Sequence, residues 1–147
     1  MISSILIPTD FSPASWKATQ VGIELSQLDG NTKLSFLHVY PIASKYLNKD
    51  IGVASQEMLE RMKNRMNQLS HDLSDAQDRI ENVVLSGNVD DEMMNFIKNN
   101  HFDLVIVGIN SNGANNEIGS HTIRMIKESG IPVMIVPNKS GDGAITG

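Results

Sequence analysis

An aspartate follows the first apolar segment of the chain, at a position where it could bind a ligand. Asp10 comes after Pro8 and Thr9 and is followed at short distance by Ser12. Its carboxylate is an acceptor for the hydroxyl or amino groups of a ligand. The alternative interpretation is structural, because Asp10 and Ser12 both precede a predicted helix and both residue types cap helix N-termini. The residues alone leave both interpretations open.

A second segment, rich in glycine and asparagine, lies late in the chain between Gly108 and Ser120. Glycine allows the backbone to approach a ligand closely and to adopt a positive φ. Gly119 and Ser120 open a predicted helix, where free amide hydrogens and the positive end of the helix dipole favour an anion such as phosphate. His121, beside them, could also face a phosphate. A flexible surface turn is the competing interpretation, because the segment contains an Asn-Gly dipeptide.

An alternation of apolar runs and helical patterns positions these segments. The predicted strands are residues 5–7, 34–40, 83–85, 104–107 and 133–136. Apolar residues at three- and four-residue spacing predict a helix between each strand and the next. Strict alternation implies a parallel sheet with right-handed crossovers, and hence an open α/β sandwich. In such sheets ligands bind beyond the carboxyl ends of the strands, where the strand order reverses.

Length and composition indicate one globular domain and exclude several kinds of site. The chain has 147 residues and ends in a polar, glycine-rich segment, residues 139–147, which is predicted to be a flexible tail. It contains no cysteine, which excludes disulfides, thiol nucleophiles, thiolate zinc sites and iron–sulfur clusters. Its 4 histidines do not have the spacing of metal ligands, so no metal site is predicted.

Charge and hydropathy limit the partners and the location that can be expected. The 12 basic and 17 acidic residues give a net charge of −5, which argues against a nucleic-acid partner, since phosphate neutralisation needs clustered cations. No apolar run approaches the roughly 20 residues that span a bilayer. The N-terminus lacks the basic flank of a signal peptide. The sequence therefore predicts a cytoplasmic protein with no membrane partner.

The ordered set of motifs resembles the universal stress protein family over nearly the whole chain. The resemblance rests on ILIPTDFS at residues 5–12, LHV at 37–39, SG at 86–87, DLVIVG at 103–108 and IPVMIVP at 131–137. It implies that residues 1–138 form a universal stress protein domain with the adenine nucleotide alpha hydrolase-like fold. That fold is an open three-layer α/β sandwich around a five-stranded parallel sheet of order 3-2-1-4-5.

The resemblance also bears on the glycine-rich segment. One branch of the family binds ATP through a loop written G-x2-G-x9-G-[ST]. Gly108 matches its first position, and Gly119 and Ser120 match its last two. Ser111 stands in place of the second glycine, and the stretch between it and Gly119 is two residues shorter than in the family pattern. These departures favour a smaller ligand such as AMP over ATP.

The family's binding residues carry over to matching positions in this chain. Asp10 would hold the adenosine, and the backbone of Val39 would read the adenine edge. Pro8 and Thr9 would line the wall, while the glycine loop and the helix start after it would face the phosphates. The site residues that the resemblance implies are Pro8, Thr9, Asp10, Val39, Gly108, Gly119 and Ser120, and His121 is added to them for its place beside Ser120 at the start of the helix.

The implied function is a cytoplasmic stress-response protein that forms homodimers through its last strand and binds ATP or AMP. Pro132, near the start of that strand, fits an edge position because proline cannot donate to a central ladder. The alternative is a member that binds no nucleotide and acts only through an unknown protein partner.

Two other classes of function are not expected. An enzyme is disfavoured because the chain has no G-x4-G-K-[ST] loop and no second carboxylate next to Asp10, so no catalytic residue is assigned. A receiver-type phosphorylation switch would need an aspartate after the third strand, where this chain has Ser86, Gly87 and Asn88.

Overall fold

The computed structural model describes residues 2–41, 49–71, 79–110 and 120–138. Strands and helices alternate along the chain. In order they are β1 (Ser4–Pro8), α1 (Pro13–Asp29), β2 (Lys33–Pro41), α2 (Lys49–His71), β3 (Ile80–Gly87), α3 (Val89–Asn99), β4 (Leu104–Asn110), α4 (Ser120–Glu128) and β5 (Val133–Asn138). None of the described helices is both long enough and apolar enough to cross a membrane.

The strands form one parallel sheet of five strands in the order β3-β2-β1-β4-β5, which confirms the predicted fold. Residues on β1 alternate between two apolar cores. Ile5 and Ile7 pack with Ala18 of α1 and Met66 of α2, whereas Leu6 packs on the opposite face against α3 and α4. The sheet is therefore the middle of three layers, and the chain order reverses between β1 and β4.

The strands extend further than their apolar runs predict. β3 begins at Ile80, opposite Leu34, because the backbone ladder with β2 continues beyond the apolar residues. β4 likewise continues to Asn110, so Gly108 lies inside the strand, paired with Val136, and not at the start of a loop. α2 begins at Lys49, and residues 42–48 and the predicted tail, 139–147, lie outside the described residues.

Local sequence signals define both ends of α1. The Ser12 side chain caps the helix by accepting a hydrogen bond from the Ser15 amide, and Pro13 occupies the first turn. Gly30 ends the helix with φ at 81°, a left-handed conformation that glycine adopts without strain. The N-terminus of α1 is thus fixed directly after the segment that carries Asp10.

α1 also packs unusually close to the sheet. A Cβ added at Gly108 of β4 would overlap the backbone carbonyl of Ala14, in the first turn of α1. At Gly22, about two turns further along the core face, an added Cβ would meet the end of the Ile7 side chain at 2.5 Å. The absence of a side chain at Gly108 therefore brings the start of α1 against the carboxyl end of β4.

At the opposite edge of the sheet, Asp103 joins the starts of β1 and β4. Its Oδ2 accepts hydrogen bonds from the Ser3 amide (2.8 Å), the Ser3 hydroxyl (2.9 Å) and the Ser4 amide (3.1 Å). His101 Nε2 lies 3.2 Å from the other carboxylate oxygen. The hydrogen bonds from Ser3 lower the pKa of Asp103 to about 2, because they stabilise the charged form.

Candidate functional site

A cleft of about 190 Å³ opens at the carboxyl edge of the sheet, at the switch point between β1 and β4. Five of the eight predicted site residues line it: Pro8, Thr9, Asp10, Val39 and Gly108. Its other walls come from β2, from α3 and from the first turn of α4. The strand order therefore brings together residues that are about a hundred positions apart in the sequence, where the topology predicted a ligand would bind.

Asp10 has two oxygens with different surroundings. Oδ1 accepts hydrogen bonds from the Ser12 amide and from the Ser15 hydroxyl, each at 2.9 Å. No described residue donates to Oδ2, and the side chain is exposed at the mouth of the cleft. Partial burial acts to raise the pKa of this carboxyl, but the hydrogen bonds from Ser12 and Ser15 outweigh it and hold the pKa below its ordinary value.

The two interpretations of this segment are therefore compatible. Ser12 is the helix cap, and Asp10 supports the cap with one oxygen. Thr9 joins the same network, since its hydroxyl donates to Ser15 Oγ (3.2 Å) and accepts from the Phe11 amide (3.0 Å). The capping interactions hold Asp10 in place while its second oxygen stays available to a ligand.

The backbone of Val39 faces the cleft because β2 runs past the end of β1. The last register pair is Pro8 with Leu37, and the Thr9 amide still donates to the Leu37 carbonyl at 2.8 Å. Along a strand, successive residues direct their amide and carbonyl groups alternately to the two sides. Those of Val39 therefore point to the same side as those of Leu37, at a level beyond the last residue of β1.

His38 explains why the ladder stops before Val39. The Thr9 carbonyl would be the next acceptor along β1, but His38 Nδ1 lies 2.7 Å from it and forms the hydrogen bond instead. The His38 ring also packs against Phe11, with 4.8 Å between ring centroids. Within the described part of the chain, the Val39 amide is thus left without a strand partner.

The phosphate end of the predicted site is only partly described. α4 begins at Ser120 as predicted, and buried Thr122 in its first turn lines the cleft. Gly119 lies outside the described residues, as do the side chains of Ser120 and His121. Thr122 and Gly108 line the same cleft, so the first turn of α4 borders it.

The comparisons with known proteins identify the family. The model described as "Universal stress protein family" matches residues 1–137. The chain belongs to the universal stress protein family. Universal stress protein MJ0577 of Methanocaldococcus jannaschii is 25% identical to it over 159 residues, which cover 95% of this chain and 98% of the relative.

Solved structures of the family share the fold of this chain. UspA from Lactobacillus plantarum superposes with a TM-score of 0.73 at 19% identity, covering 92% of this chain and 97% of that one. A universal stress protein family protein from Arabidopsis thaliana, solved with AMP bound, gives a TM-score of 0.63 at 16% identity, with 98% and 99% coverage. At these identities the likeness shows that the universal stress protein fold is common to all three.

Sequence reasoning missed several residues that form the cleft in this family member. Ser15 holds Asp10, and His38 frees the Val39 amide, yet neither position was assigned to the site. Val89, Met93 and Thr122 complete the walls. The spacing of Ser15 three residues after the Ser12 cap was a usable signal, because a helix returns to the same face after that interval. The others are brought in by the sheet order alone.

No group of three metal-binding side chains occurs among the described residues of this universal stress protein. Asp10 is the one acidic residue among the described residues that line the cleft. The cleft as described thus offers a hydrogen-bond acceptor, a strand edge and a helix N-terminus.

Proposed function

We propose that this universal stress protein binds an adenine nucleotide, AMP in preference to ATP, in the cleft between β1 and β4. The observation that carries the proposal is that Asp10 Oδ2, which has no described donor, and the Val39 amide, which has no described partner on the β1 side, border the same cleft. A carboxylate oxygen suits the two hydroxyls of a ribose, which are donors. The amide and carbonyl of Val39 match the adjacent acceptor and donor on an adenine edge.

The phosphate would lie toward the first turn of α4. The helix N-terminus supplies amide hydrogens and a partial positive charge, and no described carboxylate other than Asp10 borders the cleft to repel an anion. The shortened loop with Ser111 in place of glycine supports a single phosphate over three. The AMP found in the Arabidopsis thaliana relative agrees with this choice.

Calorimetric titration of AMP into wild-type protein and Asp10→Asn tests the proposal. The amide keeps one oxygen for Ser12 and Ser15 but replaces the free acceptor with a donor. We expect AMP affinity to fall about tenfold or more, the effect of losing a hydrogen bond to a charged group. Glu24→Gln, which removes an exposed carboxylate on α1, is the matched control and should bind AMP as the wild type does.

Two results would contradict nucleotide binding. One is the absence of heat with AMP and with ATP at millimolar concentration; the other is an Asp10→Asn variant that binds as tightly as the wild type. Either result would favour the alternative that the protein acts only through protein partners, and would leave Asp10 as a support for the α1 cap.

We also propose that the protein binds its ligand without catalysing a reaction. Asp10 uses one oxygen structurally, and His38 Nδ1 is engaged by the Thr9 carbonyl, so the described cleft supports positioning of a ligand better than proton transfer. Steady-state ATP hydrolysis should not exceed background. A rate well above background that Asp10→Ala abolishes would contradict this.

The assembly and cellular role are proposed on the same basis. β5 pairs with β4 on one side and forms an edge of the described sheet, with Met134 37% exposed on it. Pro137 also lies in β5, and proline is tolerated in edge strands. Pairing of β5 with its counterpart would give a homodimer, which we propose acts in the cytoplasm in the response to stress.

A further inference from the structure

We propose that a second cavity, between α1 and α2, binds a small aromatic carboxylate. Its volume of about 510 Å³ falls within the range of small-molecule sites and exceeds that of the nucleotide cleft. It lies on the opposite face of the sheet from α3 and α4. The described residues that line it are Thr9, Phe11, Ser12, Trp16, Thr19, Asn64, Arg65, Gln68 and Leu69.

Arg65 provides the argument for an anion. It is the one charged residue among those that line the cavity, and no ion pair joins it to a carboxylate in the described part of the chain. Its guanidinium carbon lies 4.3 Å from the centroid of the Phe11 ring. Stacking on an aromatic face holds the planar guanidinium while its in-plane N–H groups stay available for a carboxylate.

A single positive charge also limits the kind of anion. One guanidinium matches one carboxylate charge-for-charge, and the neighbouring amides of Asn64 and Gln68 can donate to the same group. A phosphate monoester carries nearly two negative charges at neutral pH, and Arg65 would balance only one of them.

The aromatic part of the ligand is argued from the apolar walls. Trp16 is 40% exposed although it is large and apolar, and it borders the cavity together with Phe11 and Leu69. Aromatic rings gain from stacking against such faces in addition to the area they bury. A ring placed beside Trp16 with its carboxylate toward Arg65 would use both kinds of wall.

The backbone at Phe11 supports a functional use of this wall. Its φ is 64°, and it is the one described residue other than glycine with a positive φ. The amide of Phe11 is held in this conformation by the Thr9 hydroxyl at 3.0 Å. In this strained conformation the Phe11 ring contacts both Arg65 and His38.

The probe is 3-phenylpropionate, titrated while the fluorescence of Trp16 is recorded. Trp16 is the only tryptophan of the chain, so the signal arises at the cavity wall. We expect a saturable change that is absent with 3-phenylpropanamide, which lacks the charge, and with propionate, which lacks the ring. Arg65→Gln should weaken binding about tenfold or more, since it removes the charged partner. Arg61→Gln, an exposed arginine of α2 outside the lining, should leave binding unchanged.

Three results would overturn the proposal. They are no saturable response at probe concentrations on the order of 10 mM, equal binding of 3-phenylpropanamide, and an unchanged affinity in Arg65→Gln. The indole N–H resonance of Trp16 in a ¹⁵N correlation spectrum gives an independent readout on the same titration. Titration of AMP into Arg65→Gln separates this proposal from the nucleotide proposal. AMP binding is proposed to depend on Asp10 and not on Arg65, so it should be unchanged in this variant.

Discussion

At the scale of single residues, the two oxygens of the Asp10 carboxylate have different surroundings. Oδ1 of Asp10 holds the cap of α1 through Ser12 and Ser15, and Oδ2 remains at the cleft. The sequence presented capping and binding as competing interpretations because both use the same residue type at the same place. The structure makes the two interpretations compatible, because capping uses Oδ1 and leaves Oδ2 without a described donor.

Asp103 provides a pH-dependent contribution to stability at the same scale. Its pKa is about 2 in the folded protein against an ordinary 3.8, so the charged form is favoured by folding. The stabilisation is complete above about pH 4 and is lost as the pH falls toward 2. We expect Asp103→Asn to lower the urea midpoint most at neutral pH, and its difference from the wild type to shrink between pH 4 and pH 2.

Urea denaturation at several pH values, followed by circular dichroism, measures this difference. Glu24→Gln serves as the control because its carboxylate is exposed and has no described partner. The difference in urea midpoint between Asp103→Asn and the wild type could instead be the same at pH 2 and at neutral pH. The charge of this carboxylate would then contribute nothing to the interaction that joins β1 and β4.

At the scale of elements, the apolar patterns predicted which strands and helices exist but not where they end. The ends of β3 and β4 depend on ladders with neighbouring strands, which are contacts between residues far apart in the sequence. The local signals at α1 were sufficient, because Ser12, Pro13 and Gly30 act within a few residues of themselves. Gly108 was predicted to serve a ligand; it lines the cleft, and its lack of a side chain also accommodates α1, which the sequence did not indicate.

Gly108→Ala tests how closely α1 must approach β4. The added methyl group would overlap the Ala14 carbonyl, so the first turn of α1 has to move. We expect a loss of about 1–3 kcal/mol in the free energy of unfolding, the usual cost of overpacking, together with weaker AMP binding as Asp10 shifts.

Gly22→Ala is the matched control on the same helix. Its methyl group would clash with the end of the Ile7 side chain alone, which can rotate away, and it would lie at an ordinary contact distance of 3.6 Å from Ile106. Alanine also favours the helix by up to about 1 kcal/mol. The free energy of unfolding should therefore change little. If both variants lost the same stability by urea denaturation, the backbone contact at Gly108 would have no special importance.

At the scale of the whole molecule, the sheet order and the layers were predictable, and five of the eight site residues meet at one cleft as the resemblance implied. The roles of His38 and Ser15 could not be predicted. They depend on the directions of the Thr9 carbonyl and the Asp10 carboxylate, which are set only in the folded chain. The larger cavity could not be predicted either, because no sequence pattern indicates that Trp16 and Arg65 lie together until α1 and α2 are packed.

The proposed dimer makes a prediction at this scale. Met134→Lys places a charge on the exposed side of β5, and we expect the mass measured by light scattering at micromolar concentration to fall from that of a dimer to that of a monomer. Leu28→Lys is the control, because Leu28 is 83% exposed at the end of α1. A monomeric wild type, or a dimer that persists in Met134→Lys, would exclude β5 as the interface.

The contact between Gly108 and the first turn of α1 also has a thermodynamic consequence. Folding already fixes Asp10, because α1 is held against β4 and its cap holds the carboxylate. The conformational entropy of ordering this side chain is therefore lost before any ligand arrives. The nucleotide that we propose for the cleft would have to give up its own rotational freedom, but it would not have to order Asp10. Preorganisation of this kind raises affinity without adding a contact.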